Sequence, residues 1–162
     1  MQTVTFWGSS AVGLGVSVGC SAALLAYYRQ LNRQVWLPLV AMLGSAPINF
    51  GLRYVCGRVR PGVAYIPHHL PELGHPFQRW SYPAGHTMTA TICYGLVAYC
   101  VIHARPQWRF WVLCFLGLGL AVMGFSRVYL GVHWPTDVLA GYLAGAAWLF
   151  FCMALLGFDP AG

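Results

Sequence analysis

Apolar residues in this chain gather into long runs separated by short polar connections. Five runs approach the roughly 20 residues that a helix needs to cross a bilayer: Phe6–Tyr28, Val35–Val55, His86–His103, Trp108–Phe125 and Thr136–Gly157. They predict an all-α fold, a polytopic membrane bundle of about five transmembrane helices. Pro38, Pro47 and Asn49 lie inside the second run, so a kink or a late start is expected there. The third run carries several threonines and is the least apolar, which predicts that it faces other helices. Small residues recur at helical spacing as Gly15/Gly19 and Gly141/Gly145. That pattern permits close helix packing or, in a sharper reading, a dimer seam. Trp7, Trp36, Trp80, Trp108, Trp111 and Trp134 fall near predicted span ends, as interfacial tryptophans do, and Trp148 is the exception.

The connections are short apart from Pro61–Gly85. Pro61, Pro67, Pro71, Pro76 and Pro83 argue against one long helix there. With Tyr65, Phe77, Trp80 and Tyr82 among them, the segment reads as an interfacial loop or short helices forming a lid in the headgroup region. His68, His69, Glu72 and His75 could assemble a metal site, but their spacing matches no established ligand pattern. A histidine-rich interfacial loop is the simpler reading.

Composition supports the membrane assignment. Hydrophobic residues make up 59% of the chain and charged residues 7%, where soluble domains carry about a quarter charged residues. The 162 residues are read as a single integral membrane domain. All nine basic residues are arginine, and the acids are Glu72, Asp137 and Asp159. Most arginines sit beside apolar runs, so the net charge of +6 points to an anionic lipid or substrate rather than to nucleic acid. The six cysteines lie mostly inside apolar runs without metal-ligand pairs, and are read as packing residues. The first run lacks a basic leader and is expected to stay in the membrane.

Parity then gathers distant polar residues. With five spans, Arg53–Arg60 closes the second, His86 opens the third, Ser126 closes the fourth and Asp137 opens the fifth. All of these belong to one membrane face. The other face receives Arg29, Arg33, Arg105 and Arg109, against Arg58 and Arg79 outside the candidate site on the first. By the positive-inside rule the site is expected to face the periplasm or exterior.

Three segments on that face carry candidate chemistry. In Ser126-Arg127-Val128-Tyr129-Leu130-Gly131-Val132-His133-Trp134-Pro135-Thr136-Asp137, Pro135 suits the first turn of a helix. Asp137, four residues after His133, is then expected within reach of its ring, where a carboxylate would fix the tautomer. Arg127 offers planar donors suited to phosphate oxygens. The second segment, Arg53-Tyr54-Val55-Cys56-Gly57-Arg58-Val59-Arg60-Pro61, places three arginines at a span end, where they must snorkel or meet an anion. The third, Tyr82-Pro83-Ala84-Gly85-His86-Thr87, sets a glycine and a histidine at a helix start, where free N–H groups bind phosphate.

Together these segments resemble the type-2 phosphatidic acid phosphatase family, whose superfamily includes glucose-6-phosphatase-like enzymes and vanadium haloperoxidases. The family pattern reads K-x6-RP, PSGH and SR-x5-H-x3-D. The third element is complete from Ser126 to Asp137. Arg53 stands where the family usually has lysine, and Ala84 where it has serine. The resemblance covers about Ala41 to Gly157, and many relatives carry six spans, one more than is read here. It implies that His133 is the nucleophile forming a phosphohistidine, oriented by Asp137. It implies that His86 protonates the leaving oxygen and later activates water. Arg53, Arg60 and Arg127 would clamp the phosphate, with Ser126 and the Gly85 N–H, and without metal or other cofactor.

The implied activity is hydrolysis of a lipid phosphate in the inner membrane of a bacterium. Candidate substrates are phosphatidylglycerophosphate, phosphatidate, polyprenyl diphosphate and a glycolipid phosphate. A phosphotransferase would use the same intermediate and pass it to a lipid acceptor. A non-catalytic protein binding anionic lipids through its arginines is the reading from another class, but it has no need of an oriented histidine.

Overall fold

The computed structural model describes residues 10–61 and 79–155. Among the described residues there are five long helices: α1 (Ser10–Tyr28), α2 (Arg33–Cys56), α3 (Gly85–Ala104), α4 (Arg109–Tyr129) and α5 (Pro135–Leu155). A short 3-10 turn, Pro106–Trp108, leads directly into α4. All five have the length and hydropathy of membrane spans, so this is an all-α integral membrane protein. The outer limits of the first and last predicted runs, and the proline-rich stretch with His68, His69, Glu72 and His75, lie outside the described residues.

Local sequence accounts for where the helices begin and end. Asn32 caps α2, its side-chain oxygen accepting from the Val35 N–H at 3.1 Å. The helix starts ahead of the predicted run and continues with Pro38 and Pro47 inside it, so there is no late start. It stops at Gly57, which takes the left-handed conformation at φ +54° and donates its N–H to the Arg53 carbonyl at 3.0 Å. Only glycine adopts that conformation without strain. α4 runs four residues past its predicted end, so Ser126 and Arg127 belong to its last turn.

α3 is the hub and packs against the other four helices. As its threonines predict, it faces protein: half of its span is buried, against 22–33% for the others. Met88, Ile92, Leu96 and Tyr99 of α3 join Cys20, Leu24, Val35, Leu37, Ala41, Leu149 and Cys152 in one core. α5 lies closest to it. A side chain at Gly141 would overlap the Thr87 hydroxyl and stand 2.7 Å from the Ala84 carbonyl. The Gly141/Gly145 pair therefore serves packing of α5 on α3 within one chain, and Gly15 and Gly19 face open space. Trp148, the tryptophan away from a span end, donates its indole N–H to the Ala41 carbonyl at 2.8 Å and ties α5 to α2.

Candidate active site

Just past Gly57 the chain becomes extended. Val59 pairs with Trp80 in an isolated antiparallel bridge, the Arg60 N–H donates to the Arg79 carbonyl at 3.0 Å, and the Ser81 N–H donates to the Arg58 carbonyl at 2.7 Å. This short ladder stands beside the loop between α4 and α5. The Trp134 indole donates to the Val59 carbonyl at 3.1 Å and fastens the two together. Behind it, the Ala84 N–H donates to the Asp137 carbonyl at 3.0 Å and fixes the start of α3 against the start of α5.

His133 sits in the middle, only 2% exposed. Its Nδ1 is 2.8 Å from the Ser81 carbonyl oxygen. A carbonyl can only accept, so Nδ1 carries the proton and the neutral ring keeps its lone pair on Nε2. Arg60 reaches that second nitrogen at 3.5 Å while donating to the Val132 carbonyl at 3.0 Å. Burial, and next the charge of Arg60, push the His133 pKa down to about 3. Burial and the neighbouring Arg53 lower Arg60 to about 10, with Asp137 opposing them. Near neutral pH the imidazole is therefore uncharged and the guanidinium charged.

The carboxylate expected to hold His133 is placed differently. Asp137 is wholly buried, and its Oδ2 lies 3.9 Å from Nδ1, within ion-pair range but beyond a hydrogen bond. That oxygen accepts from the Trp134 N–H at 2.9 Å, as a third-position acid does when it reaches back over the start of its own helix. The other oxygen accepts from Arg58 at 3.1 Å. The Ser81 carbonyl thus occupies the orienting position given to Asp137 by spacing alone.

A cavity of about 490 Å³ opens beside the imidazole. His133, His86, Arg60, Arg53 and Gly85 line it near the C-terminal end of α2, with Phe50 about one turn earlier; Met42 and Leu43, some ten residues before Arg53 on the same helix, line it further along, as does Leu14. His86, in the first turn of α3, and His133, before α5, thus face one space although 47 positions separate them in sequence (133 − 86). At Gly85 a side-chain carbon would stand 3.3 Å from Asn49 Oδ1 and 3.6 Å from Arg53 Nη2. Hydrogen there keeps the helix N-terminus open to a ligand. Arg127 is 2% exposed and within Coulombic range of His86. Its Nε donates to the Ser126 hydroxyl at 3.2 Å, and that hydroxyl donates to the Met123 carbonyl at 2.7 Å. Ser126 is therefore placed to aim the guanidinium.

Arginines and histidines thus converge at one end of the bundle around a shared cavity. Among the described residues, no three His, Cys, Asp or Glu side chains stand close enough to hold a metal ion. Residues that the motifs did not single out are Ser81, Arg58, Thr136 and Asn49. One signal for Arg58 was available, since alternate residues of an extended segment share a face and Arg58 precedes Arg60 by two.

Comparison with known proteins identifies relatives of the whole chain. A family model described as "PAP2 superfamily" matches residues 34–159. The chain is 32% identical over 165 residues to phosphatidylglycerophosphatase B of Bacillus subtilis, covering 98% of this chain and 73% of that protein. It is 32% identical over 148 residues to an undecaprenyl-diphosphatase of Sulfolobus acidocaldarius, covering 79% of this chain and 66% of that one. A lipid A 4'-phosphatase of Bacteroides thetaiotaomicron is 28% identical over 127 residues, 74% of this chain and 53% of the relative. The crystal structure of a transmembrane PAP2 type phosphatidylglycerolphosphate phosphatase from Bacillus subtilis superposes with a TM-score of 0.74 at 28% identity, covering 95% of this chain and 73% of that one.

Proposed function

Since the chain belongs to the PAP2 superfamily and is a phosphoric ester hydrolase, we propose that it removes phosphate from a lipid through a phosphohistidine at His133. The observation that carries this reading is the cavity. Its lining is cationic around both histidines and otherwise largely apolar, including Leu14, Leu43 and Phe50, whose side chains are exposed on the bundle surface. An amphiphile fits such a space with its phosphate among the arginines and its chains toward the bilayer. Phosphatidylglycerophosphate, phosphatidate, polyprenyl diphosphate and glycolipid phosphates share that shape, and the relatives named above act on three of these classes by name.

The chemistry starts from the neutral His133 ring, whose lone pair lies on Nε2. His133 Nε2 attacks phosphorus in line with the leaving oxygen, forming an N–P bond as the P–O bond breaks. His86, in the cationic form that a bound phosphate dianion favours, gives its proton to that oxygen, and the lipid alcohol or lipid phosphate departs. His86, now neutral, takes a proton from a water that attacks the phosphohistidine, releasing inorganic phosphate and restoring both rings. Arg53, Arg60 and Arg127 offset the charge on the transferring group, a role in which fixed donors outperform water. Because these cations supply the charge, no metal is required. Arginines at the opposite end of the bundle, Arg29, Arg33, Arg105 and Arg109, favour a cytoplasmic location for that end and an exterior-facing site, in a bacterial inner membrane.

Purified protein in detergent, offered a panel of these lipids with chelator present, should release phosphate, and His133→Ala should not. Label from a phosphorus-32 substrate should be trapped on the wild-type protein in an alkali-stable, acid-labile form. Equal release by both proteins would refute the mechanism.

A further inference from the structure

The geometry points to Arg58 as a positioning residue for His133, acting through Asp137 and Ser81. This rests on the reading of His133 as the reacting group. Arg58 touches both groups that flank the Nδ1 edge of the ring. Its main-chain carbonyl accepts the Ser81 N–H at 2.7 Å and the Ser81 hydroxyl at 3.2 Å, which fixes the residue whose own carbonyl holds Nδ1. Its side chain donates to Asp137 Oδ1 at 3.1 Å and to the Thr136 hydroxyl at 2.5 Å, and lies 5.2 Å from the centre of the Trp134 ring. One residue thus connects the ladder, the loop before α5 and the first turn of α5.

The arrangement decides which acceptor takes the single Nδ1 proton. A bare carboxylate is a stronger acceptor than an amide carbonyl, yet here the carbonyl holds the bond at 2.8 Å and the carboxylate stands off at 3.9 Å. Arg58 explains the outcome: it draws one Asp137 oxygen away from the ring and offsets the carboxylate's charge, while the Trp134 N–H occupies the other oxygen. A ring held by a neutral carbonyl stays less basic and unprotonated, ready to attack. The carboxylate remains close enough to stabilise the cationic ring that exists once Nε2 is bonded to phosphorus. Arg58 and Arg60, two residues apart on an extended segment, therefore serve opposite edges of one imidazole. Arg60 attends Nε2 directly, and Arg58 governs the Nδ1 edge through other groups.

The test follows His133 itself as well as turnover. Nitrogen-15 histidine spectra of the full chain in detergent, assigned by comparison with His133→Gln, report the tautomer and titration of the ring. The charged and titratable groups around it are Arg60, Arg53, His86 and Asp137. In Arg58→Gln the His133 titration should move upward by about one pH unit, because Asp137 then acts on the ring without an offsetting cation. With phosphatidylglycerophosphate in mixed micelles, kcat should fall about tenfold to a hundredfold, the range typical for partners that orient a reacting group. KM should hold, and Arg58→Lys should restore most of both properties. If Arg58→Gln does not fold, the double variant Arg58→Gln with Asp137→Asn removes the unoffset carboxylate; its His133 titration should match that of Asp137→Asn alone. A raised KM with unchanged kcat would place Arg58 on the lipid headgroup and overturn the inference. So would an unmoved His133 titration in Arg58→Gln, or a further shift in the double variant. Failure of the wild-type protein to release phosphate would count against the hydrolase reading alone, because the spectra still decide the part played by Arg58.

Discussion

The Nδ1–H of His133 donates to the Ser81 carbonyl at 2.8 Å, across 52 residues of sequence. This contact settles which ring nitrogen is exposed to the cavity. The carbonyl belongs to a ladder held by main-chain bonds, so the tautomer is imposed by backbone geometry rather than by a titrating side chain.

Replacing Ser81 by alanine therefore tests backbone against side chain. The hydroxyl donates to the Arg58 and Val59 carbonyls at 3.2 and 3.4 Å, and Ser81→Ala removes only those bonds. A loss of about 1 kcal/mol in stability is expected, with kcat close to wild type because the carbonyl remains. Chemical denaturation and initial rates measured on one preparation check this.

The buried imidazole has a definite acid behaviour. With its folded pKa near 3, against the ordinary 6.5, His133 is neutral throughout the physiological range. The unfolded chain takes up a proton at this residue near pH 6.5 and the folded chain does not. The contribution of His133 to stability is complete above about pH 6.5 and declines steadily as pH falls toward 3. Histidine spectra should show this ring still uncharged at pH 5. A titration midpoint near 6.5 for His133 would contradict the burial argument.

Arg60 stands beside His133 Nε2 and lines the same cavity. Arg60→Ala should lower kcat/KM by about a hundredfold or more, the usual loss when a fixed donor to developing charge is removed. Lysine at this position should recover only part of the rate, since an ammonium cannot both hold the Val132 carbonyl and face the phosphate as a planar fork does. Steady-state kinetics on micellar lipid distinguish the two variants.

The seam between α3 and α5 makes a structural prediction with a functional readout. Gly141→Val would drive a side chain into Thr87 and the Ala84 carbonyl, a contact that can be relieved only by separating the helices. The cost should be about 1–3 kcal/mol. Activity should fall with it, because this seam sets His86 against His133. By contrast, Gly15→Ala faces open space and should leave both properties unchanged. Thermal unfolding in detergent compares them.

Much of this was legible in the chain before any coordinates. Long apolar runs have few ways to satisfy their backbone in a bilayer, so five helices followed almost at once. The threonines of α3 marked the helix that faces protein, and parity brought the arginines and histidines to one end. The orientation of His133 was not legible. Four-residue spacing put Asp137 beside the ring, but spacing carries no information about a competing acceptor delivered from residue 81. Arg58 was counted outside the site for the same reason: its partners, Thr136 and Asp137, lie 78 and 79 residues away. The site of Trp148 was equally hidden, since its use is a single bond to the Ala41 carbonyl. Local propensity reports helices and their ends well, whereas long-range polar pairing emerges only when the helices are assembled.

The Val59–Trp80 bridge has one more implication. Bonded to each other on one side and to the α4–α5 loop on the other, the two ends of the intervening stretch share a common footing next to the His133 ring. Insertions or exchanges between them begin and finish at the same anchorage, whatever their length. Changes of length in that stretch therefore need not disturb the placing of the His133 ring.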